Sequence, residues 1–278
     1  MAASIAKKIL DSFFDWKARS ETDMSNIKTP AEQELMRTAC RVAATTLQDV
    51  AKQIAPGIAT RDLDAYAAEQ IRLNGGRSAF LGYRNYPRHI CISVNDEVVH
   101  GLAGDRIVQE GDIVSVDVGV LFNGFIGDNA TTVIIGECEK NTQKLVEVTE
   151  RSLYAAISCA VAGNQVRDIS QAVQELVESN GFSVVREFVG HGVGTSVHEE
   201  PQVPNYVEPR KRSPELRAGM TLAIEPMVNA GSPAVKVLKD GWTVVTRDGQ
   251  PSAHFEHTIL VRDGEPEILT WPEGKKSD

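Results

Sequence analysis

Residues 113–132 read IVSVDVGVLFNGFIGDNATT and place Asp117 and Asp128 inside a run that otherwise has the character of buried sheet. Asp is depleted in strands, and a buried carboxylate is costly unless it is paired or holds a cation. The oddity recurs downstream. TLAIEPMV carries Glu225 in an apolar run, HFEHTILV carries Glu256 in another, and GHGVGTSVHEEP sets His191 and His198 among glycines. Each has an ordinary reading alone: a strand acid on the wet face, a hydrogen-bonded core histidine. Together they point to convergence. Four converging carboxylates would raise one another's pKa, and two divalent cations would balance their charge. Oxygen-rich ligation with one imidazole from His191 suits Mn, Fe, Co or Zn. A two-metal site activates water and clamps both oxygens of a tetrahedral intermediate, which is hydrolase chemistry.

The elements around these residues must bring them together. Asn123-Gly124 is a two-residue hairpin signal. With that turn, Gly119 faces Asp128 and Asp117 faces Ala130, so the two aspartates are diagonal neighbours on one face. A bulge at Gly127 would re-aim Asp128. Upstream, Ala31–Ile54 and Ile58–Asn74 have helical periodicity, with Thr60 as N-cap of the second. Strand-like runs cover 89–100 and 112–135. Helices follow over 142–162 and 166–179, and strand-like runs return at 182–189, 220–228, 242–247 and 253–262. Helices, strands, helices, strands give two halves of similar layout. Antiparallel strands with helices on one side make an α+β class.

The 278 residues carry a formal net charge of −9, against a general nucleic-acid binder or a specific DNA partner. No apolar run approaches the roughly 18–20 residues of a membrane span. Cys40, Cys91, Cys138 and Cys159 form no CxxC pair and read as reduced thiols of a cytoplasmic protein. Residues 1–26 form an N-terminal arm and linker. Ile5, Ile9 and Phe13 give the arm an amphipathic helical pattern, expected to pack on the main body or, in the sharper reading, to dock a partner or a membrane surface. Residues 27–278 are expected to be one catalytic domain. The link PNYVEPRKRSPELRAG holds Arg210, Lys211, Arg212 and Arg217, a solvated loop in the plainer reading and a ribosomal RNA contact in the other.

NDEVVHG, DVGVLFNGFIGD, GHGVGTSVHEEPQVPNY, LAIEPMVNAG and DGWTVVTRDGQPSAHFEHTI, five separated motifs in order, resemble those of the type I methionine aminopeptidases, and the resemblance runs from about Ile27 to about Glu267. The resemblance implies the pita-bread fold, a pseudo-twofold duplicated sheet around a central dinuclear metal site. It implies Asp117, Asp128, His191, Glu225 and Glu256 as metal ligands, with Asp128 and Glu256 bridging. By the same resemblance, water activated there attacks the first peptide bond, Glu225 accepts its proton, and His198 steadies the oxyanion. His100 would contact the scissile amide, and the free α-amine would bind a metal. Tyr83, Tyr86, Cys91 and Trp242 would line the methionine pocket, with Phe80 at its rim. The implied function is removal of the N-terminal methionine from nascent chains with a small second residue, by a monomer, with a transient ribosome contact.

The chain departs from the family pattern at Ala103 (in HGLA), Val197, Phe80 and GDNATT, which bears on specificity and not on the ligands. A proline-specific exopeptidase of the same fold is the neighbouring alternative, and it usually carries an extra N-terminal domain. A non-catalytic pita-bread protein would tend to lose ligands, whereas all five positions are filled here.

Overall fold

Helix α1 (Pro30–Gln53) begins on a reciprocal cap. The Thr29 hydroxyl accepts from the Glu32 amide at 3.3 Å, and the Glu32 carboxylate accepts from the Thr29 amide at 2.8 Å. These positions come from a computed structural model, which describes residues 27–210 and 212–271. The amphipathic arm and Lys211 lie outside the described residues. Met36, Ala39, Cys40, Ala43, Leu47 and Val50 recur at helical spacing and bury one face of α1. Among the described residues no helix is long and apolar enough to cross a membrane.

Helix α2 (Thr60–Leu73) corrects one expectation. Thr60 is its first helical residue and not its cap, and Ala59 caps it with no side-chain bond. The Thr60 hydroxyl is engaged elsewhere, accepting from the Gly104 amide at 2.9 Å and donating to the Gly104 carbonyl at 3.2 Å. A loop distant in sequence thus claims the hydroxyl that a cap would use. Asp64 on the same helix is buried and accepts from the amides of His89 and Ile90. Helix α3 (Lys140–Ser158) stops short of the expected 162, because residues 159–162 turn to reach Arg262: Val161 bridges it and the Ala162 amide donates to its carbonyl. Helix α4 (Val166–Ser179) is as expected.

The strands are β1 (Arg77–Ser78), β2 (Cys91–Val94), β3 (Glu97–Val99), β4 (Ile113–Phe122), β5 (Phe125–Ile134), β6 (Ser183–Val184), β7 (Gly190–Gly192) and β8 (Glu199–Val203), followed by β9 (Thr221–Ile224), β10 (Met227–Asn229), β11 (Val235–Val237), β12 (Val244–Thr246), β13 (Ser252–His254), β14 (Glu256–Leu260) and β15 (Glu267–Ile268). The main sheet runs β1-β4-β5-β14-β9-β7-β8, with β2 paired to β4 and β15 to β14. Two three-stranded sheets, β13-β10-β6 and β11-β12-β3, stand beside it. This is the α+β pita-bread layout. The hairpin β4–β5 with α1 and α2 forms one half, and β9 and β14 with α3 and α4 form the other. The halves meet where β5 pairs with β14.

The polar run Glu199–Val203 and the short Val235–Val237 gave no strand signal in the sequence, yet both pair. Strand β8 is the sheet edge, where Pro201 removes no ladder bond the sheet needs.

The hairpin holds the predicted register: Asp117 faces Ala130 and Gly119 faces Asp128. Asn123 and Gly124 have φ of 48° and 84°, the two left-handed positions a tight type I′ turn requires. Gly127 faces Val120 in register, so no bulge re-aims Asp128. Its lack of a side chain has another cause. A Cβ there would stand 2.5 Å from the Cys40 Cα, because α1 lies directly on the strand. Val114, Val116, Val118 and Val120 point the same way and bury against α1 and α2. Asp117 and Asp128 therefore face away from the helices.

Gly127→Ala would force α1 off the sheet. We expect it to destabilise the fold by about 1–3 kcal/mol in urea unfolding. Unchanged stability would show that the helix can move aside freely.

Candidate metal centre

One transverse row crosses the sheet. Cys91 on β2 faces Asp117 on β4, Asp117 faces Ala130 on β5, and Ala130 faces Glu256 on β14. Extending the β14–β9 ladder one residue past Ile224 sets Glu225 opposite Glu256. In the middle of the row Ala130 contributes only a methyl group, so the acids on either side border a hollow. Asp128 enters one row away, and His191 enters from β7, paired with Ala223. All five acid and imidazole groups expected from the sequence thus converge. Ligand atoms of Asp128, His191 and Glu256 lie within 4.8 Å of one another.

Glu225 corrects a detail. It is not within a strand, as its apolar run suggested, but just past the end of β9. Pro226 follows, and it biases the preceding residue towards extended backbone and offers no amide of its own. The chain crosses there from the main sheet to β10 and presents Glu225 at the crossing.

His191 shows that these residues suit a cation. Its Nδ1 lies 2.9 Å from the Gly192 carbonyl, which can only accept, so Nδ1 carries the hydrogen and Nε2 carries a lone pair. That lone pair sits 3.3 Å from Oε1 of Glu225. Two acceptors at this distance need a proton or a metal ion between them. Asp117 Oδ1 and Asp128 Oδ1 are buried with no hydrogen-bond partner. The donor set is the oxygen-rich, one-imidazole type that divalent transition metals take.

Burial is the first cause of every pKa displacement here. It raises Asp117 to about 7. It pushes Asp128, Glu225 and Glu256 well above the carboxylate range, and the other acids' charges push them further. It lowers His191 to about 4 and His198 well below its ordinary value.

The remaining predicted residues form the walls of a cavity of about 80 Å³, room for several waters or a slim side chain. The Tyr83 hydroxyl is 2.7 Å from Nδ1 of His198, and the rings of His198 and His191 meet edge to face at 4.3 Å. Tyr86 packs edge to face on Trp242 at 4.9 Å and donates its hydroxyl towards the carbonyls of Ile90 and Gly101. His100 stands edge-on to Phe188 and, at 6.3 Å, to Trp242. Phe80 covers Gly119, where a Cβ would come within 2.4 Å of its ring. Cys91 is buried beside Asp117, its thiol pKa raised by burial and then by the Asp117 charge.

The sequence reading missed His254. It is 2% exposed, lines the cavity, and has Nε2 3.8 Å from Oε2 of Glu225. The signal was present, since it precedes Glu256 by two residues and alternate strand residues share a face. Arg84, Val99, Phe188 and Met227 also line the cavity unpredicted.

The two kinds of titrating group act oppositely on the metal-free protein. Histidines with lowered pKa add stability as pH rises from about 4 to 6.5, and carboxylates with raised pKa remove it as pH rises from about 4 through their folded values. Above pH 6.5 only the carboxylates still act. The metal-free protein should therefore lose thermal stability between about pH 6.5 and 8.5, and added divalent metal should restore it, as read by the melting temperature. A flat profile over that window would contradict the assignment of the raised carboxylates.

Comparison with known proteins agrees with this geometry. The family model for metallopeptidase family M24 matches residues 34–263. Methionine aminopeptidase 1 of Bacillus subtilis is 50% identical over 243 residues, 87% of this chain and 98% of that protein. The methionine aminopeptidase of Escherichia coli K12 is 44% identical over 247 residues, covering 88% and 93%. Among solved structures, the methionine aminopeptidase of Thermotoga maritima superposes with a TM-score of 0.85 at 48% identity, covering 88% of this chain and 98% of that one. The prolidase of Pyrococcus horikoshii shares the fold at a TM-score of 0.73 and 22% identity, with 65% of its chain covered. The chain belongs to metallopeptidase family M24 and, within it, groups with the methionine aminopeptidases.

Proposed function

We propose that this chain is a metal-dependent methionyl aminopeptidase that removes the N-terminal methionine from peptides and nascent chains with a small second residue. One observation carries the reading: the row that supplies Asp117 and Glu256 to the acid cluster continues into Cys91, so a pocket lined by thiol and aromatic groups adjoins the hydrolytic centre. A flexible thioether packs favourably on aromatic edges and beside a thiol.

Asp117, Asp128, His191, Glu225 and Glu256 would hold two divalent ions, drawn from Co, Mn, Fe or Zn. Bound there, the ions would lower the pKa of water for attack on a peptide carbonyl. Glu225, whose carboxylate borders the cavity, would accept the proton of that water. The Tyr83 hydroxyl can donate to Nδ1 of His198, and in that tautomer Nε2 would carry the hydrogen and donate to a developing oxyanion. His100 would contact the scissile amide. Tyr83, Tyr86, Cys91 and Trp242 would hold the methionine side chain, with Phe80 closing the pocket over Gly119.

The same reading makes the enzyme a cytoplasmic monomer acting on chains as they emerge. Arg210, Lys211, Arg212 and Arg217 are its candidate for a passing ribosome contact.

Metal-reconstituted protein assayed on Met-Ala-Ser, Met-Lys-Ser and Ala-Pro peptides tests the reading. Release of methionine from the first alone is expected. Cleavage of Ala-Pro alone would move the protein to the proline-specific branch of the fold.

A further inference from the structure

The loop that carries His198 is folded around a single carboxylate. Strand β7 ends at Gly192, and β8 begins at Glu199, the residue after His198. Oε1 of Glu199 accepts from the Thr195 amide at 2.8 Å, the Ser196 amide at 3.2 Å and the Thr195 hydroxyl at 3.3 Å. Its Oε2 accepts from Nζ of Lys28 at 2.7 Å. Lys28 is 5% exposed, rare for a lysine unless it is paired. Gly194 leaves room for this contact, since a Cβ there would lie 2.6 Å from both Oε1 of Glu199 and Cε of Lys28.

Lys28 is itself held by the sheet. Its amide donates to the Gly219 carbonyl at 2.8 Å, and Ile27 bridges Met220, the residue before β9. The loop's other end is fixed too: the Val193 amide donates to the Thr221 carbonyl, and the Ile126 amide donates to that of Gly194. Between these fixed ends lies Thr195–His198, held from within by the Glu199 carboxylate and by the Gly194 amide donating to the Ser196 carbonyl.

We propose that the Lys28–Glu199 pair positions His198, and that the segment entering α1 therefore sets the reactivity of a residue distant in sequence. Lys28 neutralises the Glu199 carboxylate and fixes its direction. The carboxylate then gathers the amides of Thr195 and Ser196, and this closed turn aims the imidazole at the cavity, where the Tyr83 hydroxyl meets it. Neither Lys28 nor Glu199 borders the cavity, so each reaches the chemistry indirectly: through the loop to His198, and through the Glu199 charge near His191, which is why metal content is read alongside. The inference rests on the oxyanion role given to His198 above.

Steady-state kinetics on Met-Ala-Ser, with metal content measured alongside, tests it in Lys28→Met, Lys28→Arg, His198→Ala and the Lys28→Met/His198→Ala double variant. Lys28→Met should lower kcat about tenfold to a hundredfold, the scale of an ångström-sized misplacement, and leave metal content unchanged. KM should stay within about threefold, since the lost contact acts on the transition state. Lys28→Arg should recover most of the loss. In the His198→Ala background, Lys28→Met should change kcat by less than about twofold, because residues acting as one unit are not additive. A merely structural pair would lower both backgrounds equally, and that result would overturn the proposal. So would an unchanged kcat in Lys28→Met while His198→Ala is impaired. An unchanged kcat in His198→Ala would instead remove the oxyanion role, and this inference with it. If Lys28→Met fails to fold, Glu199→Gln, which keeps an acceptor for the loop amides, carries the same comparison.

Discussion

Four carboxylates share one buried enclosure, and they cannot all be ionised there unless cations balance them. The rest of the structure follows from that constraint. Asp128 and Glu256 are 3% exposed and His191 is 4% exposed, while Asp117 and Glu225 keep an edge on the cavity. Without cations, burial and the acids' mutual repulsion push them towards the protonated form, the expected response of like charges brought together. His191 is held neutral with its Nε2 lone pair towards Glu225. The enclosure is thus built to bind a positive charge and is unfavourable to fold without one.

Small residues make the enclosure possible. Gly127 lets α1 lie on β5, so the helices seal one face of the sheet and leave the other for chemistry. Gly119 gives Phe80 its place above the aspartate pair. Ala130 keeps the middle of the acid row hollow. The duplicated layout then supplies one hairpin acid pair from the first half and a second pair from the other, joined at β5 and β14.

The first half was legible in the sequence for definite reasons. Asn123-Gly124 fixes a turn, and strand alternation then fixes which residues share a face, so the placement of Asp117 and Asp128 followed from two local rules. The second half obeys no such local rule. Glu225 sits at a break between sheets, where alternation stops. Strand β8 is polar because it is an edge, and its pairing depends on partners far away in the chain. Thr60 looked like a cap, and tertiary contact with Gly104 claimed its hydroxyl instead. His254 could have been read from its spacing to Glu256. Lys28 could not, since nothing in Ile27-Lys28-Thr29 signals that its ammonium group is buried against Glu199.

If cations are what make this cluster stable, their binding must expel protons from it. Calorimetric titration of the metal-free protein with Mn²⁺ or Co²⁺ at pH 7, in buffers of different ionisation enthalpy, measures this directly. The buried carboxylates predict release of at least about one proton per molecule, and fewer at higher pH as Asp117 ionises by itself. A binding heat independent of buffer, with no proton released at pH 7, would mean that the carboxylates were already ionised and that the constraint does not hold.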